Sequence, residues 1–356
     1  ALNCPTNSEL IDSYGFRGLL TPPCANDSGQ ALGIGLMGFY ARGDLRTCRV
    51  ETRLPFAGEV ARTGQARMRW RRRILDESGF DPERFAADLR DHPVAWVDGA
   101  AEVGPRALGH RSLLGDPTQL RTKEILNQVK QRQWWRPVAP IVLEEHVADW
   151  FDRGRPSPFM LETFQVRQDR RDRIPAALHM DGSARIQTLS RQDDESLYLA
   201  VSAFHAETGV PIVCNTSLND RGEPIANDAA EAVNFCLRKG IKVAYIAGRR
   251  LVLDVEQVTE VTAPEPRRLH DMYAKQPERP DAIYGQGTDP QLLFLLYLWP
   301  GLHRLAGAPD GDDRIEQVLV QVRRQETAFA RRAELFLAYW RRLLEGTIRE
   351  GAADAA

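Results

Sequence analysis

The segment from Gly104 to Pro137 carries the residue types best suited to binding a charged ligand. It holds seven Lys or Arg side chains and two acidic ones, although the whole chain of 356 residues has a formal net charge of −2. Several of these cations adjoin Gly or Pro, where a turn can hold a side chain in a fixed direction. Because a guanidinium group offers parallel donors to an oxyanion, the segment predicts a pocket for a compact, multiply charged anion. The seven cations are Arg106, Arg111, Arg121, Lys123, Lys130, Arg132 and Arg136.

Two alternatives to an anion pocket stay open for this segment. Runs of charge are often only solvated helix faces, which need no ligand. Basic stretches also bind nucleic acid through its phosphates. The pI of about 6.5 and the lack of a long basic tail argue against a nucleic-acid partner.

Two segments further along the chain carry polar groups that an anion pocket needs. Arg185 stands near the start of a predicted strand among small neighbours, so it either lies at a sheet edge or points into a site. Residues 215–219 follow a predicted buried strand, and α/β folds place ligand groups at such strand ends. Asn215 and Ser217 would equally fit an Asx or Ser/Thr turn that needs no ligand.

A third polar group lies near the beginning of the chain. Asn26, Asp27, Ser28 and Gly29 precede a predicted helix rich in Gly and Ala. The free N–H groups of a helix start can receive a phosphate, and Asp27 beside them could bind a cation. The simpler alternative is that Asn26 or Asp27 only caps this helix.

The hydrophobic pattern predicts an α/β (α+β) fold that would position these groups. Asp116 as N-cap and Pro117 as the first helical residue predict a helix that runs to about Gln131. Further predicted helices cover 30–42, 58–78, 81–91, 144–151, 197–208 and 228–238. Predicted strands cover 93–97, 139–143, 184–189, 210–214, 242–246 and 251–254.

Composition places the chain among globular proteins with room for two or more domains. Five scattered cysteines form no disulfide or metal-binding pattern, which favours reduced thiols and a cytoplasmic location. The most apolar run, 292–299, is too short to cross a bilayer, so no membrane association is expected. The chain begins without Met, and we expect it to be a fragment of a longer polypeptide.

Long motifs in a fixed order give the chain a specific resemblance. They are GPRALGHRSLL, LNQVKQRQWWRPVAP, SPFM, HMDGSARIQT and TGVPIVCNTSLNDRGEPI. Together with the region upstream, they resemble the O-carbamoyltransferases of antibiotic and nodulation-factor biosynthesis (NodU/CmcH type) over roughly 1–254. The resemblance implies that 1–92 hold the C-terminal end of an actin/hexokinase-like, Kae1-type domain and a connector. It implies a YrdC/Sua5-like domain over 93–263, followed by a Pro-rich segment and a helical extension over 264–356.

The resemblance also implies a chemistry and a set of site residues. The YrdC-like domain of the family uses carbamoyl phosphate and ATP, with Mg²⁺, to form carbamoyl-adenylate. The Kae1-like domain then transfers the carbamoyl group to a substrate hydroxyl near an iron-type divalent metal. Matched motif by motif, the catalytic set is Arg106, Lys130, Arg136, Arg185, Asn215 and Ser217. The cofactor-binding set is Asn3, Asn26, Arg111 and Arg132, and Asp27 resembles the family's carboxylate metal ligand.

Three expectations go with this assignment. His110 and His179 are candidate acid–base groups, although histidines in a core or a turn are more common. No His-x-x-x-His spacing occurs in the chain, whereas the family's metal site uses one. We therefore expect donor activation here, and hydroxyl transfer only with an N-terminal half supplied in cis or by a partner. In the tail, an apolar stripe over 311–345 could pack on its own domain, form a homodimer seam or shape a bulky acceptor site.

Two functions compete with an O-carbamoyltransferase of natural-product tailoring. One is an enzyme of the threonylcarbamoyl-adenylate type that serves tRNA modification. The second is a non-catalytic binding module that docks on a partner through the 311–345 stripe.

Overall fold

A computed structural model describes residues 2–14, 16, 21–42, 55–256 and 320. The chain divides into two units, Ala1–Tyr273 and Ala274–Ala356, and the features below belong to the first. The expected stripe over 311–345 and the Pro-rich segment lie outside the described residues, apart from Val320.

The first unit is built around a mixed sheet of eight strands, which confirms the α/β class. Its order is β2-β12-β11-β3-β5-β10-β6-β9, with β3 parallel to β11 and β6 parallel to β9. Two short pairs, β1 with β4 and β7 with β8, lie outside it. The strands are β1 (Phe56–Val60), β2 (Ile74–Gly79), β3 (Val94–Val97), β4 (Ala100–Glu102), β5 (Arg111–Gly115), β6 (Ala139–Leu143), β7 (Phe164–Gln165), β8 (Ser183–Ala184), β9 (Gln187–Leu189), β10 (Ile212–Ser217), β11 (Val243–Ile246) and β12 (Arg249–Leu253).

Helices pack against this sheet and bury its apolar strands. The central strands β3, β5 and β6 are buried at every residue, and β3 and β6 are apolar along their whole length. Helix α4 packs on α7, and α3 packs on α8. The helices are α1 (Cys4–Tyr14), α2 (Gln30–Arg42), α3 (Thr63–Trp70), α4 (Pro82–Asp91), α5 (Leu120–Val129), α6 (Val147–Trp150), α7 (Glu195–Thr208) and α8 (Ala229–Lys239).

Aromatic rings and helix caps fix the packing around β3. Trp96 stacks on Tyr245 with 5.8 Å between ring centroids, and the edge of Phe85 from α4 meets both rings. Helix α4 begins where Asp81 accepts hydrogen bonds from the N–H groups of the first turn, with Pro82 at its first position. Helices α7 and α8 each end at a glycine in the left-handed conformation.

Three predicted elements differ from the structure. Instead of one helix over 58–78, the chain forms β1, α3 and β2, and β2 joins the main sheet beside β12. Helix α5 begins at Leu120, because Asp116 accepts from Thr118 within a turn and does not cap the helix. The strand predicted over 184–189 is interrupted between β8 and β9, at Arg185 and Ile186.

Most remaining predicted elements match the structure closely. Helices α2, α4, α7 and α8 and strands β3, β6, β11 and β12 lie within a few residues of their predicted positions. The boundary predicted between 92 and 93 stays a prediction, although β2 and α4 share the sheet and core with the residues that follow them. In the part of the chain that the structure describes, none of the helices has the length and apolar character needed to cross a bilayer.

Candidate anion-binding site

The predicted site residues come from one end of the main sheet. Strand β10 ends there at Ser217, opposite Ser112 near the start of β5. Its residue Asn215 pairs with Ala139, the first residue of β6. Strand β9 starts at the same end, because it runs parallel to β6. The loops before β5, β6 and β9 and the loop after β10 therefore meet, and these loops carry the cations of the sequence motifs.

Arg106 and Arg185 form the centre of this group. Burial, together with the positive charge of nearby Arg185, lowers the pKa of Arg106 to about 10. The Nε atoms of both side chains are buried and have no hydrogen-bond partner among the described residues. Two neighbouring guanidinium groups with unused donors are the arrangement that an oxyanion would satisfy.

A second group of titratable side chains, with the neutral His179 and the cations Lys123 and Arg132, adjoins Arg185. His179 has its pKa lowered to about 4 by burial, and Arg185 and Lys123 add to this effect while Asp181 opposes it. Burial also lowers the pKa of Lys123, and so does the charge of Arg132. Because Lys123 and Arg132 lower the pKa values of their neighbours, the positive charge near the site extends beyond the two arginines.

His179 is held in one orientation by its own turn. Its Nδ1 lies 2.9 Å from Ser183 Oγ, which donates to Asp181 Oδ1 at 2.7 Å. Since an ionised carboxylate only accepts, Ser183 must use its proton on Asp181 and accept from the Nδ1–H of His179. The neutral ring therefore presents the Nε2 lone pair, which is the state required of a base; whether it acts as one stays a prediction.

Lys130 and Ser217 belong to one hydrogen-bond network, whereas the Nε donor of Arg106 has no partner among the described residues. The Lys130 ammonium donates to Ser217 O at 2.8 Å and contacts both oxygens of Asn219. Burial lowers its pKa to about 7, with Arg132 adding to the effect. Ser217 Oγ donates to Asn219 Oδ1 at 2.6 Å. This network fixes the loop after β10, so a ligand phosphate would compete with existing contacts of Lys130.

Asn215 is not in the loop that the sequence suggested but within β10, where it is 2 % exposed. Its Nδ2 donates to Ala107 O and to Gln187 Oε1, each at 3.1 Å. Gln187 in turn donates to Leu108 O at 2.7 Å. Because both amide protons are committed, Asn215, which the resemblance places in the catalytic set, has no free donor for an anion.

Arg111 is a correction to the predicted cofactor-binding set. Its side chain is fully buried, and its donors reach the backbone carbonyls of Glu59, Asp98, Gly99, His110 and Asn227. Burial lowers the pKa of this guanidinium. With its donors already used, Arg111 ties β1, the β3–β4 turn and the loop before α8 together and does not contact a ligand.

His110 is likewise structural. Its Nδ1 lies 2.6 Å from Ala100 O, its Nε2 lies 3.6 Å from Asp194, and its ring stacks on Phe56. Both ring nitrogens therefore face protein groups, which removes His110 as a candidate acid–base residue.

Arg136 and Arg132 lie on the outer part of the group. Arg136 is exposed and lies over the ring of Trp135, 5.9 Å from its centroid. Its exposure contrasts with the buried Nε atoms of Arg106 and Arg185. Arg132 is half-buried, and its Nε donates to Asn127 at 2.6 Å.

The N-terminal residues approach the same end of the sheet. The thiol of Cys4 lies near Arg106 and donates to Met160 O at 3.0 Å. Asn3, just before it, is exposed and accepts from Thr6 N at 3.2 Å, which caps α1. Gly104 has φ +136, and a Cβ there would lie 3.0 Å from Pro23 O. The 23–24 backbone therefore packs closely on the loop that holds Arg106.

Asp27, the predicted metal ligand, is not joined by other metal-binding side chains among the described residues. Asp27 is exposed at the start of a 3₁₀ turn, and Asn26 accepts from Ser28 Oγ at 3.1 Å. Among the described residues, no three His, Cys, Asp or Glu side chains converge as a metal site requires. The donor set present here does not fit an iron-type metal, so we derive no step through one.

A polar cleft lies at the opposite end of the sheet and is a weaker candidate. It has a volume of about 580 Å³ and includes Arg90, Asp116 and Glu207 in its lining. Arg90 already pairs with Glu207 at 2.5 Å, and Asp116 accepts from Thr118 and Gln119. The charges of these three residues are satisfied internally, in contrast to the unused Nε donors of Arg106 and Arg185.

Three residues outside the predicted catalytic and cofactor-binding sets also have a part in the site. Lys123 lies on the same predicted helix as Lys130, two turns away, and this spacing is a usable signal for its contribution. Gln187 follows Arg185 by two positions, which is the alternation of a strand face. Asn219, the third, is the partner of Lys130 and follows Ser217 by two residues.

Comparisons with known proteins bear on the family resemblance inferred from the motifs. Residues 86–252 match the family model described as carbamoyltransferase C-terminus. Nodulation protein U of Rhizobium tropici is 37% identical over 235 residues, which cover 66% of this chain and 40% of that protein. The 3'-hydroxymethylcephem-O-carbamoyltransferase of Amycolatopsis lactamdurans is 37% identical over 242 residues, 67% of this chain and 45% of that protein.

The chain thus spans less than half the length of these two curated relatives. A solved structure of full-length HypF in a phosphate- and nucleotide-bound form is similar at a TM-score of 0.33 and 16% identity, covering 50% of this chain and 22% of that one. Likeness at that level does not define the fold. The family-model match over residues 86–252 and the similarity to the two relatives confirm the resemblance inferred from the motifs.

Proposed function

We propose that this chain performs the donor-activating half of an ATP-dependent O-carbamoyltransferase. It binds carbamoyl phosphate and Mg²⁺–ATP at the strand end that carries Arg106 and Arg185, and it forms carbamoyl-adenylate. The observation that carries the proposal is the pair of arginines with buried, unused Nε donors, supported by Lys123 and His179 nearby. Carbamoyl phosphate and ATP are both negatively charged, and together they would neutralise the positive charge of this pocket.

Atom balance defines the reaction. Carbamoyl phosphate first loses its phosphate to water, which frees the carboxylate oxygen of carbamate. That oxygen attacks the α-phosphorus of ATP, and pyrophosphate leaves. Fixed cations act by neutralising the charge that develops on the transferring phosphoryl group, which is the main contribution of a protein to such a step.

The acceptor in the second step is a hydroxyl on a natural product, as the name of the Amycolatopsis relative suggests for that protein. We assign this step to a longer form of the protein or to a partner, since the described residues supply no metal site for it. We also propose that the N-terminal part is the end of a Kae1-type domain and that the sheet domain is YrdC-like. The location that we propose is cytoplasmic.

Pyrophosphate exchange tests the first step. Wild-type protein should exchange labelled pyrophosphate into ATP when carbamoyl phosphate is present. Arg185→Ala should reduce the exchange by about 100-fold or more, which is the usual effect of removing one fixed donor at a transferring group. Arg191→Ala is the matched control, because Arg191 is exposed and pairs with Glu195 on the surface of α7.

The outcomes separate the competing functions. Exchange that depends on threonine and bicarbonate instead of carbamoyl phosphate would show an enzyme of the threonylcarbamoyl-adenylate type. No exchange with either donor set, in a protein that is folded and binds a partner, would show a binding module and end the proposal.

A further inference from the structure

Glu102 holds together the loop that carries Arg106. It is the last residue of β4, and residues 103–110 join β4 to β5. Its Oε1 atom accepts three backbone N–H groups where that loop ends, and its Oε2 atom is buried without a hydrogen-bond partner among the described residues. The donors are Leu108 at 2.7 Å, His110 at 2.9 Å and Arg111 at 3.2 Å. One carboxylate therefore ties the start of the loop to its end.

The end of this loop is held by side chains. Each N–H group of residues 108–111 donates to one of them: three to Glu102, and that of Gly109 to Ser112 Oγ at 3.0 Å. Gly109 has φ +105, which residues with a Cβ rarely adopt, so the backbone is irregular here. Hydrogen bonds to a carboxylate are about twice as strong as those between neutral groups. Removing the charge of Glu102 therefore weakens three contacts of the loop at once.

Arg106 depends on this loop for its direction. Its Nε atom is buried without a hydrogen-bond partner among the described residues, and no carboxylate of those residues is among the groups that shift its pKa. The direction of the guanidinium is therefore set by the backbone that carries it and not by an ion pair. Since Glu102 is not among those groups either, it fixes the loop and leaves the positive charge of Arg106 available to an anion.

Glu102 also balances the charge of Arg111. Burial lowers the pKa of that guanidinium, and among the carboxylates Glu102 opposes the shift most strongly. Glu59, which is exposed on β1, opposes it as well. A substitution of Glu102 thus changes both the loop and the surroundings of Arg111. Glu59 separates the two effects, because its charge acts on Arg111 whereas the N–H groups of residues 108–111 donate to Glu102 and Ser112.

Building on the proposed function, we propose that Glu102 is a positioning residue of the anion-binding site. Its Oε1 atom holds residues 103–110 in the conformation in which Arg106 contacts carbamoyl phosphate, and Glu102 does not touch the ligand itself. Without the carboxylate the loop adopts several conformations, and only a fraction of the molecules has Arg106 in place. The apparent affinity for the ligand falls by that same fraction.

A double-mutant cycle tests whether Glu102 acts through Arg106. Isothermal titration calorimetry on the full chain gives the dissociation constant of freshly prepared carbamoyl phosphate for wild type, Glu102→Gln, Arg106→Gln and the double variant. We expect each single substitution to weaken binding about tenfold or more. Because a displaced loop has no further effect once Arg106 is absent, the double variant should bind within about twofold of Arg106→Gln. Independent effects would multiply, with a further loss of about tenfold, and would overturn the inference.

Glu59→Gln is the matched control. It removes a carboxylate whose charge acts on Arg111, and it leaves the contacts of Glu102 with the loop in place. Its affinity for carbamoyl phosphate should stay within about twofold of wild type, as is usual for an exposed residue. A loss as large as that of Glu102→Gln would show that the charge near Arg111, and not the loop, determines binding, and the inference would fail.

Hydrogen exchange followed by mass spectrometry tests the loop without a ligand. In wild-type protein the N–H groups of residues 108–111 should exchange about 100-fold or more slowly than in an unfolded peptide, because Glu102 and Ser112 bind them. In Glu102→Gln this protection should fall, while that of β10 stays unchanged. Rapid exchange of residues 108–111 in wild-type protein would show that the carboxylate does not hold the loop. That result would overturn the inference even if the variants do not fold.

The two measurements distinguish this inference from the proposed function. Wild-type protein that binds carbamoyl phosphate, together with an additive cycle or an unprotected loop, overturns the role of Glu102 alone. Wild-type protein that neither binds carbamoyl phosphate nor exchanges pyrophosphate rejects the proposed function, and the role of Glu102 in that binding with it.

Discussion

Two positive charges repel each other where Arg106 and Arg185 meet, and no carboxylate of the described residues is among the groups that shift the pKa of Arg106. Such a pair is expected to destabilise the empty site and to be stabilised by an anion. We therefore predict that Arg185→Gln raises the free energy of unfolding of the ligand-free protein by about 0.5–1 kcal/mol. The same variant should lose the stabilisation that added carbamoyl phosphate gives to wild-type protein. Chemical denaturation with and without carbamoyl phosphate measures both effects.

The control for this prediction is Arg191→Gln, since Arg191 precedes α7 and forms an exposed ion pair with Glu195, the first residue of that helix. It should change neither the stability nor the response to the ligand, because surface ion pairs contribute little. If the ligand-free Arg185→Gln protein is less stable than wild type, then Arg185 makes favourable contacts within the protein. That outcome would contradict the prediction that Arg185 is left unpaired for a ligand.

His179 provides a prediction of pH dependence. Its pKa is lowered to about 4 in the folded protein, mainly by burial, from an unfolded value near 6.5. Between these values the unfolded chain binds the extra proton, so stability falls as the pH falls from about 6.5 toward 4. We expect the free energy of unfolding to drop by about 1–2 kcal/mol from pH 6.5 to pH 5 through this group. In His179→Gln that drop should be smaller, as measured by urea denaturation at both values.

At the same scale, the sequence identifies the cations better than it identifies their roles. The positive charge of Arg185 lowers the pKa of Arg106, so these two cations influence each other, and their joint role in binding stays a prediction. Arg111 stands in the same motif, yet its donors point at backbone carbonyls, and only the fold could show this. Asparagine both donates and accepts, so Asn215 is a reasonable candidate for either role. Which half of its amide is free depends on Ala107 and Gln187, which are distant in sequence.

At the scale of elements, strand pairing brings the site together. Four strands distant in sequence have ends that meet, and the predicted strands 139–143 and 210–214 indicate two of them. The N-terminal region is harder to predict. The stretch 58–78 is rich in Arg and has helical composition, but only its middle part is helical, because β2 gains a partner in β12 from the far end of the domain. Local propensity cannot predict that two strands so far apart in the sequence will pair.

Arg111 offers a test at this scale, because it links three elements. Replacing it with Met leaves several buried carbonyls without their donor, so we expect a loss of about 3 kcal/mol or more of stability. A residue that only bound nucleotide would behave oppositely, with unchanged stability and weaker ATP binding. Thermal unfolding and ATP titration on Arg111→Met separate the two roles. Arg121→Met is the control, since Arg121 is exposed on α5.

At the scale of the whole molecule, the long ordered motifs identify the family, whereas the packing surfaces cannot be inferred from the sequence. The chain covers 40% of nodulation protein U of Rhizobium tropici. Helix α2 illustrates this limit: its small-residue pattern suggests close approach of a backbone or ligand, and its large apolar side chains are exposed instead.

Exposed apolar side chains on one helix predict association. Ile34, Met37 and Tyr40 of α2 are 73%, 65% and 70% exposed, and their spacing of three residues keeps them near one side of the helix. We expect reversible self-association of the isolated chain, visible as a sedimentation coefficient that rises with protein concentration. The double variant Ile34→Lys with Met37→Lys should remove most of this rise and leave the affinity for carbamoyl phosphate unchanged. Met68→Lys, at an isolated exposed residue of α3, should leave the association as it is. If the double variant sediments like wild type at every concentration, the face of α2 is not the contact surface.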